Sequence, residues 1–288
     1  MTSASNVLPE SAALAKPHVL RIAPPSRWWV LPVSELWSYR ELLYFFVWRD
    51  IKVRYKQTAI GAAWAVLQPL LAMAVFTLFF GRLAHLSSDG LPYQVFSYCG
   101  LLPWLYFAAS LQSSTNSIVE NQRLVTKVYF PRLTLPIAAV FASLVDFAIS
   151  FVMFAVLMAY YGVHPSASVA WFPAFLLLAV LTAMGVGMWL SALNAIYRDI
   201  RYVLPFLIQF WLFASPVVYS SSIVPAKWRW LYGLNPMAGV IEGFRWSLTG
   251  HGQPPGRMVF VSAAAVILIL LGGVAYFQKM DSTIADVV

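Results

Sequence analysis

The chain has 288 residues, of which 60% are hydrophobic and only 10% charged, with a formal net charge of +8. An ordinary soluble domain carries about 45–50% apolar and about 25% charged residues, so this composition excludes a soluble globular enzyme. The single cysteine, Cys99, excludes an intrachain disulfide and a cysteine-based structural metal site, and it reads as a small buried apolar residue.

Residues 1–33 mix Pro, Ser and Ala without an apolar run, which is neither a signal peptide nor a segment able to bury a core. They are expected to form a flexible cytoplasmic tail. Ser34–Asp50 (SELWSYRELLYFFVWRD) follows, with an N-cap pattern at Ser34, a capping-box pattern from Ser38 to Glu41, and apolar Leu36, Tyr39, Leu43, Phe46 and Val47. This segment is too short and too charged to span. An amphipathic helix on the cytoplasmic face is expected, with Trp28, Trp29, Trp37 and Trp48 at headgroup level. The basic run Arg49, Lys52, Arg54, Lys56 leads from it into the first apolar stretch.

A bilayer core about 30 Å thick needs about 20 apolar residues at helical rise. Six windows qualify: Ala59–Gly81, Val95–Val119, Leu133–Val163 (interrupted by Asp146), Ala170–Tyr197, Val203–Ala226 and Met258–Gln278. Six spans put both termini on one side, and most basic residues gather there, including those of the loops Glu120–Arg132 and Arg198–Arg201. That bias places both ends in the cytoplasm. It also assigns the positive charge to topology and anionic headgroups, with no nucleic-acid partner.

Between spans five and six, Tyr219–Gln253 stays aromatic and apolar but is broken by Pro225, Gly233 and Pro236. Asn235 as N-cap, Pro236 at the first helical position and Gly250 as terminator frame a helix of about 14 residues, and Ile223–Tyr232 suits a shorter one. Segments of about 10–14 residues are the length of re-entrant or interfacial helices. Their ends at membrane depth must be buried in protein or line a wet cavity. A re-entrant external hairpin over about 219–250 that closes a pathway is therefore expected.

Chemistry-bearing groups are sparse. Asp89 and Glu242 are the external carboxylates, and Glu242 stands three residues before Arg245, the spacing of a helical ion pair. His85, His164 and His251 are scattered over three loops without metal-ligand spacing, so no metal site is expected. Asp146 is the one carboxylate inside a span. Pairing with a neighbouring helix is the favoured reading, and proton coupling is the alternative. No lysine follows a glycine-rich turn, so the chain has no Walker loop and cannot use ATP in that way alone. Span two carries Ser110, Gln112, Ser113, Ser114, Thr115, Asn116 and Ser117, a cluster suited to hydrogen-bonding helices together or to lining a hydrated cavity. Phe206, Phe210 and Phe213 form a stripe on span five whose spacing fits packing or lipid contact as well as a substrate path.

The segments RDIKVRYKQTAIGAAWAVLQPLL (Arg49–Leu71), KVYFPR (Lys127–Arg132) and NPMAGVIEGFRWSLTG (Asn235–Gly250) occur in that order. Together they resemble the permease subunits of ABC exporters for lipid-linked polysaccharides, the O-antigen, capsule and teichoic acid translocators, over about residues 34–278. The resemblance implies an all-α polytopic protein of the bacterial inner membrane. Its transmembrane domain spans 34–278, with six transmembrane helices, an interface helix at 34–50, an external gate hairpin between spans five and six, and a cytoplasmic C-terminus at 279–288. It further implies a homodimer that binds two copies of a separate ABC ATPase; ATP and Mg are bound by that partner and no cofactor by this chain.

Carried onto these positions, the resemblance places ATPase contacts at Glu35, Arg40, Glu41, Glu120, Arg123, Lys127 and Arg132. It places a lipid-pyrophosphate portal at Arg49, Lys52, Arg54 and Lys56, where clustered basic side chains suit a pyrophosphate at the headgroup layer. Channel lining falls to Gln112, Ser113, Asn116, Phe206 and Phe210, and the external gate to Trp228, Trp230, Asn235, Pro236, Glu242 and Arg245. The implied activity is export of a polyprenyl-pyrophosphate-linked polysaccharide, O-antigen first, among membrane lipids. A permease for another lipid or a drug is the alternative within transport. A polyprenyl-linked membrane glycosyltransferase is the alternative enzyme, but it would need a large loop with paired carboxylates, and none is visible.

Overall fold

The computed structural model describes residues 33–56, 63–251, 254 and 256–287. The tail at 1–32, Trp28, Trp29 and the start of the first expected span lie outside the described residues. Among those described, every regular element is helical. Four helical stretches are long and apolar enough to cross a membrane: Ala63–Leu83, Thr134–Tyr160, Ala167–Ile196 and Arg257–Asp281.

Two short helices open the described chain, α1 (Val33–Ser38) and α2 (Arg40–Lys56). The expected single helix thus breaks at Tyr39. Ser38 Oγ donates to the Ser34 carbonyl at 2.9 Å, so the capping-box pattern is not used as one. Beyond Asp50, where the amphipathic pattern ends, α2 continues through the whole basic run. α3 (Ala63–Phe76) passes into a π-helical stretch at Thr77–Leu83. α4 (Tyr93–Glu120) is buried along most of its length between α6 (Thr134–Tyr160) and α7 (Phe172–Ile196). A short α5 (Gln122–Lys127) joins α4 to α6.

Small residues set the closest helix approach. A Cβ on Gly185 of α7 would lie 2.9 Å from the Leu270 backbone, and one on Gly273 would meet the Gly185 carbonyl. Glycines at such positions let two apolar helices touch backbone to backbone, the means by which membrane helices gain dispersion contact without a hydrophobic driving force. The partner helix is α11 (Arg257–Val287), which runs past the expected span end at Gln278 into the segment read as a cytoplasmic terminus.

The expected span Val203–Ala226 is cut short. α8 (Ile200–Ala214) stops because Ser215 precedes Pro216, whose ring disfavours the α conformation in the residue before it; Ser215 is extended at φ −110°, ψ 151°. A single 3-10 turn (Ser221–Ile223) and α9 (Ala226–Tyr232) follow. α10 (Pro236–Thr249) has the expected frame. Asn235 accepts from the Met237 N–H at 3.1 Å, Pro236 takes the first position, and Gly250 ends it in the left-handed region at φ 70°. Every α10 residue but Trp246 is buried, so the helix lies in the protein interior against α4, α7 and α11.

Candidate functional site

The end of the bundle that carries α2 and α5 gathers most of the residues singled out in the sequence. Phe46 of α2 and Phe130 after α5 meet in a buried cluster with Ile118, Val125 and Ile284. Leu36, Tyr39, Leu43 and Val47 complete the apolar face of α1–α2 against it. Around this contact Glu35, Arg40, Glu41, Glu120, Arg123 and Lys127 are exposed. Arg132 differs: it is half-buried and donates to the Asp281 carbonyl at 2.5 Å and to its carboxylate at 3.0 Å, tying the KVYFPR loop to α11. Partial desolvation of its carboxyl, although the side chain is exposed, and then the charge of Asp281 push Glu35 above its ordinary pKa.

The basic run divides by helix face. Lys52 and Lys56 are exposed, with the Lys52 ammonium 5.1 Å from the Trp48 ring centroid. Arg49 and Arg54 turn inward. Arg49 donates to Asn121 at 2.7 Å and forms an ion pair with Asp50 at 2.8 Å. Arg54 pairs with Asp146 of α6 and donates to Ser113 of α4 at 3.3 Å, and the Tyr55 hydroxyl also donates to Asp146. Asp146 therefore pairs with a neighbouring helix, the first of its two readings.

These side chains border two cavities. One, of about 670 Å³, is polar and lined by Arg49, Asp50, Gln112, Ser113, Asn116 and Glu120 among others. The other, of about 620 Å³, is more apolar and lined by Trp64, Leu102, Leu105, Tyr106 and Phe147 among others. The span-two cluster splits accordingly. Ser110, Ser114 and Thr115 are buried, with Asn194 of α7 donating to the Thr115 carbonyl at 2.9 Å, while Gln112, Ser113, Asn116 and the mostly buried Ser117 line the polar cavity. Phe206 and Phe210 do not join them. Both are largely exposed on the outer face of α8, and Phe210 borders a separate apolar cleft of about 520 Å³ with Trp211 and Asn235.

At the far end of α8, the break at Ser215 leaves backbone carbonyls that need donors. Side chains from α10 and its cap supply most of them. Arg245 donates to the carbonyls of Val217 (2.7 Å) and Tyr219 (3.3 Å), and Asn235 to that of Ala214 (3.0 Å). Tyr93 donates to the Val218 carbonyl at 2.6 Å, and the Ser221 N–H donates to Glu242 at 3.3 Å. Glu242 and Arg245 form the expected ion pair at 3.1 Å, nearly inaccessible, with the guanidinium 3.7 Å from the Phe96 ring centroid. The gate residues thus separate into a buried set (Pro236, Glu242, Arg245, with Asn235 half-buried) and an exposed pair on α9, Trp228 and Trp230. Sequence reasoning missed the unwound segment Ser215–Ser220, for which the Ser-Pro pair was the available signal.

The model of ABC-2 type transporters matches residues 41–249, which is most of the chain. The chain belongs to the ABC-2 type transporter family. This ABC-2 family member is 30% identical over 256 residues to the O-antigen export system permease protein RfbA of Myxococcus xanthus, covering 88% of this chain and 98% of that protein. It is 28% identical over 248 residues to the protein of the same name from Klebsiella pneumoniae, with 86% and 95% covered. A more distant relative is the polysialic acid transport protein KpsM of Escherichia coli, 22% identical over 235 residues, with 81% and 91% covered. The ABC-2 match takes in α2 from Glu41 onward, the Arg54–Asp146 pair and all of α10.

Proposed function

We propose that this chain is the membrane-spanning subunit of an ATP-driven exporter that moves polyprenyl-pyrophosphate-linked polysaccharide, O-antigen in the first instance, from cytoplasm to periplasm. The observation that carries the reading is similarity along nearly the whole length of permeases named for O-antigen export. Identity falls from 30% to 22% on passing to the polysialic acid relative, which favours O-antigen over capsule as the cargo.

In this reading α3, α4, α6, α7, α8 and α11 cross the inner membrane, with both termini cytoplasmic. At 28 residues, α4 is about 42 Å long, ample for a bilayer core despite its polar side chains. The 15 residues of α8 reach only about 22 Å, and the buried segment Ser215–Ser220 completes the crossing. Non-helical backbone is tolerated at that depth because its polar groups are satisfied by protein. α9 and α10 form the external gate hairpin, with Trp228 and Trp230 at its exposed edge.

Two protomers and two ABC ATPase subunits, which bind ATP and Mg, complete the machine. The ATPase docks on the surface around Phe46 and Phe130 through Glu35, Arg40, Glu41, Glu120, Arg123 and Lys127, with Arg132 holding the loop in place. Arg49, Lys52, Arg54 and Lys56 receive the lipid pyrophosphate, and Gln112, Ser113 and Asn116 line its polar approach. The outward stripe of Phe206 and Phe210 lines the channel once a second protomer faces it. Co-expression with an ABC ATPase tests the reading. A stable complex whose ATP hydrolysis rises with the lipid-linked polysaccharide supports it, and a complex indifferent to that lipid removes the cargo assignment.

A further inference from the structure

The polar and apolar cavities beside α2 share four lining residues: Arg54, Ala109, Gln112 and Asp146. The Arg54–Asp146 ion pair therefore stands as a partition between a compartment suited to a charged headgroup and one suited to a hydrocarbon chain. We propose that Asp146 is an internal counter-ion: it holds Arg54 when no cargo is present and yields it to the phosphate of an anionic lipid, whose chain then lies in the apolar cavity. The proposal rests on the portal role given to Arg54 above and adds to it the residue that sets its selectivity.

The bonding around the partition supports this. Arg54 has one Nη on Asp146 and the other on Ser113, while Arg49 is shared between Asp50 and Asn121. With Glu120 also lining the polar cavity, two guanidinium groups face three carboxylates there. The resting cavity is thus not a strong anion trap, despite the basic run beside it. A phosphate that offers bidentate acceptors to Arg54 replaces the bond to Asp146 with one of the same class. A neutral lipid has nothing to replace it with, and breaking the pair for such a lipid is unfavourable. Selectivity then comes from a repulsive element as much as from an attractive one. The pair can open because its side chains are 30% and 27% exposed, so parting them does not strand either charge in the apolar core.

The two linings separate the two parts of the ligand. Trp64, Leu102, Leu105, Tyr106 and Phe147 line only the apolar cavity, whereas Arg49, Ser113 and Asn116 line only the polar one. A ligand with both a phosphate and a chain uses both cavities, while inorganic pyrophosphate or a polyprenyl alcohol uses one.

Native mass spectrometry of the full chain, titrated with undecaprenyl pyrophosphate, inorganic pyrophosphate and undecaprenol, tests the assignment without glycan or ATPase. Undecaprenyl pyrophosphate is expected to bind at least about tenfold tighter than either fragment, and Arg54→Gln to weaken it by about tenfold or more. Asp146→Asn is expected to tighten it about fivefold. Tyr55→Phe removes the other donor to Asp146, leaving the carboxylate more dependent on Arg54, and is expected to weaken binding by less than Arg54→Gln does, which keeps the test available if Asp146→Asn does not fold. Unchanged or weaker binding in a folded Asp146→Asn variant overturns the proposal, as does unchanged or tighter binding in Tyr55→Phe, or inorganic pyrophosphate binding as tightly as the lipid. Failure here alongside glycan-stimulated ATP hydrolysis removes only the role of Asp146. Success here without polysaccharide movement leaves the lipid site standing and removes the cargo.

Discussion

Phe46 of α2 lies against Phe130 of the loop between α5 and α6, ring centroids 5.6 Å apart and both rings buried. Through this contact two segments far apart in sequence present one surface. Phe46→Ala removes the ring from the cluster and is expected to destabilise the chain by about 3–5 kcal/mol. Thermal unfolding reads the loss, and yield of the proposed ATPase complex after affinity purification is expected to fall with it.

The Glu242–Arg245 pair supplies the second prediction. Breaking one partner of a buried pair leaves an uncompensated charge and costs about 3–5 kcal/mol. Glu242→Gln and Arg245→Met are each expected to lower the melting temperature sharply. The double variant is expected to be milder than the sum of the two, because neither charge is then stranded. Arg245 also serves the Val217 and Tyr219 carbonyls, so the double variant stays below wild type. Gly100→Ala is expected to act on the same site, since its Cβ would stand 2.8 Å from Arg245 Nη2 and 2.9 Å from the Val217 carbonyl.

Asn235 joins α8 to α10: it caps α10, accepts from Trp211 Nε1 at 2.9 Å, and donates to Ala214 and Ser215. Asn235→Ala is expected to lose the cap, worth about 1 kcal/mol, together with those links. Asn235→Asp keeps the acceptor but loses the donors, so it is expected to fall between alanine and wild type. Faster hydrogen exchange in the first turn of α10, greater for alanine than for aspartate, checks the order.

The local frame of α10 was legible in the sequence because each of its signals acts within a few residues: an Asn cap, a proline at the first position, a terminal glycine. The Glu242–Arg245 pair was legible for the same reason. The partner of Asp146 was not, since Arg54 lies on another helix and only packing brings the two together. The end of α8 was overrun because hydropathy continues through Val217 and Val218, whereas a single Ser-Pro step ends the helix there. Apolar windows report where a chain can be buried, and backbone breaks inside them must be read from proline. The inward turn of Arg49 and Arg54, against the outward Lys52 and Lys56, likewise depends on how α2 is rotated against α6.

Glu35 gives a pH dependence. Partial desolvation, with Asp281 as the lesser cause, raises its folded-state pKa above the unfolded value. A carboxyl raised in this way contributes stability that is fully present below the ordinary carboxylate pKa and lost as pH rises through the raised one. Glu35→Gln is expected to leave stability at neutral pH equal or higher, and to flatten its decline between acid and neutral conditions. A pH series of melting temperatures for both proteins measures the difference in slope.

The proposed export is tested most directly in inverted proteoliposomes that contain this chain and an ABC ATPase, loaded from outside with fluorescently tagged polyprenyl-pyrophosphate-linked O-antigen. The account predicts ATP-dependent protection of the glycan inside the vesicles, lost when the ATPase is inactivated. Vesicles that hydrolyse ATP and move another lipid, yet leave the glycan outside, would contradict it.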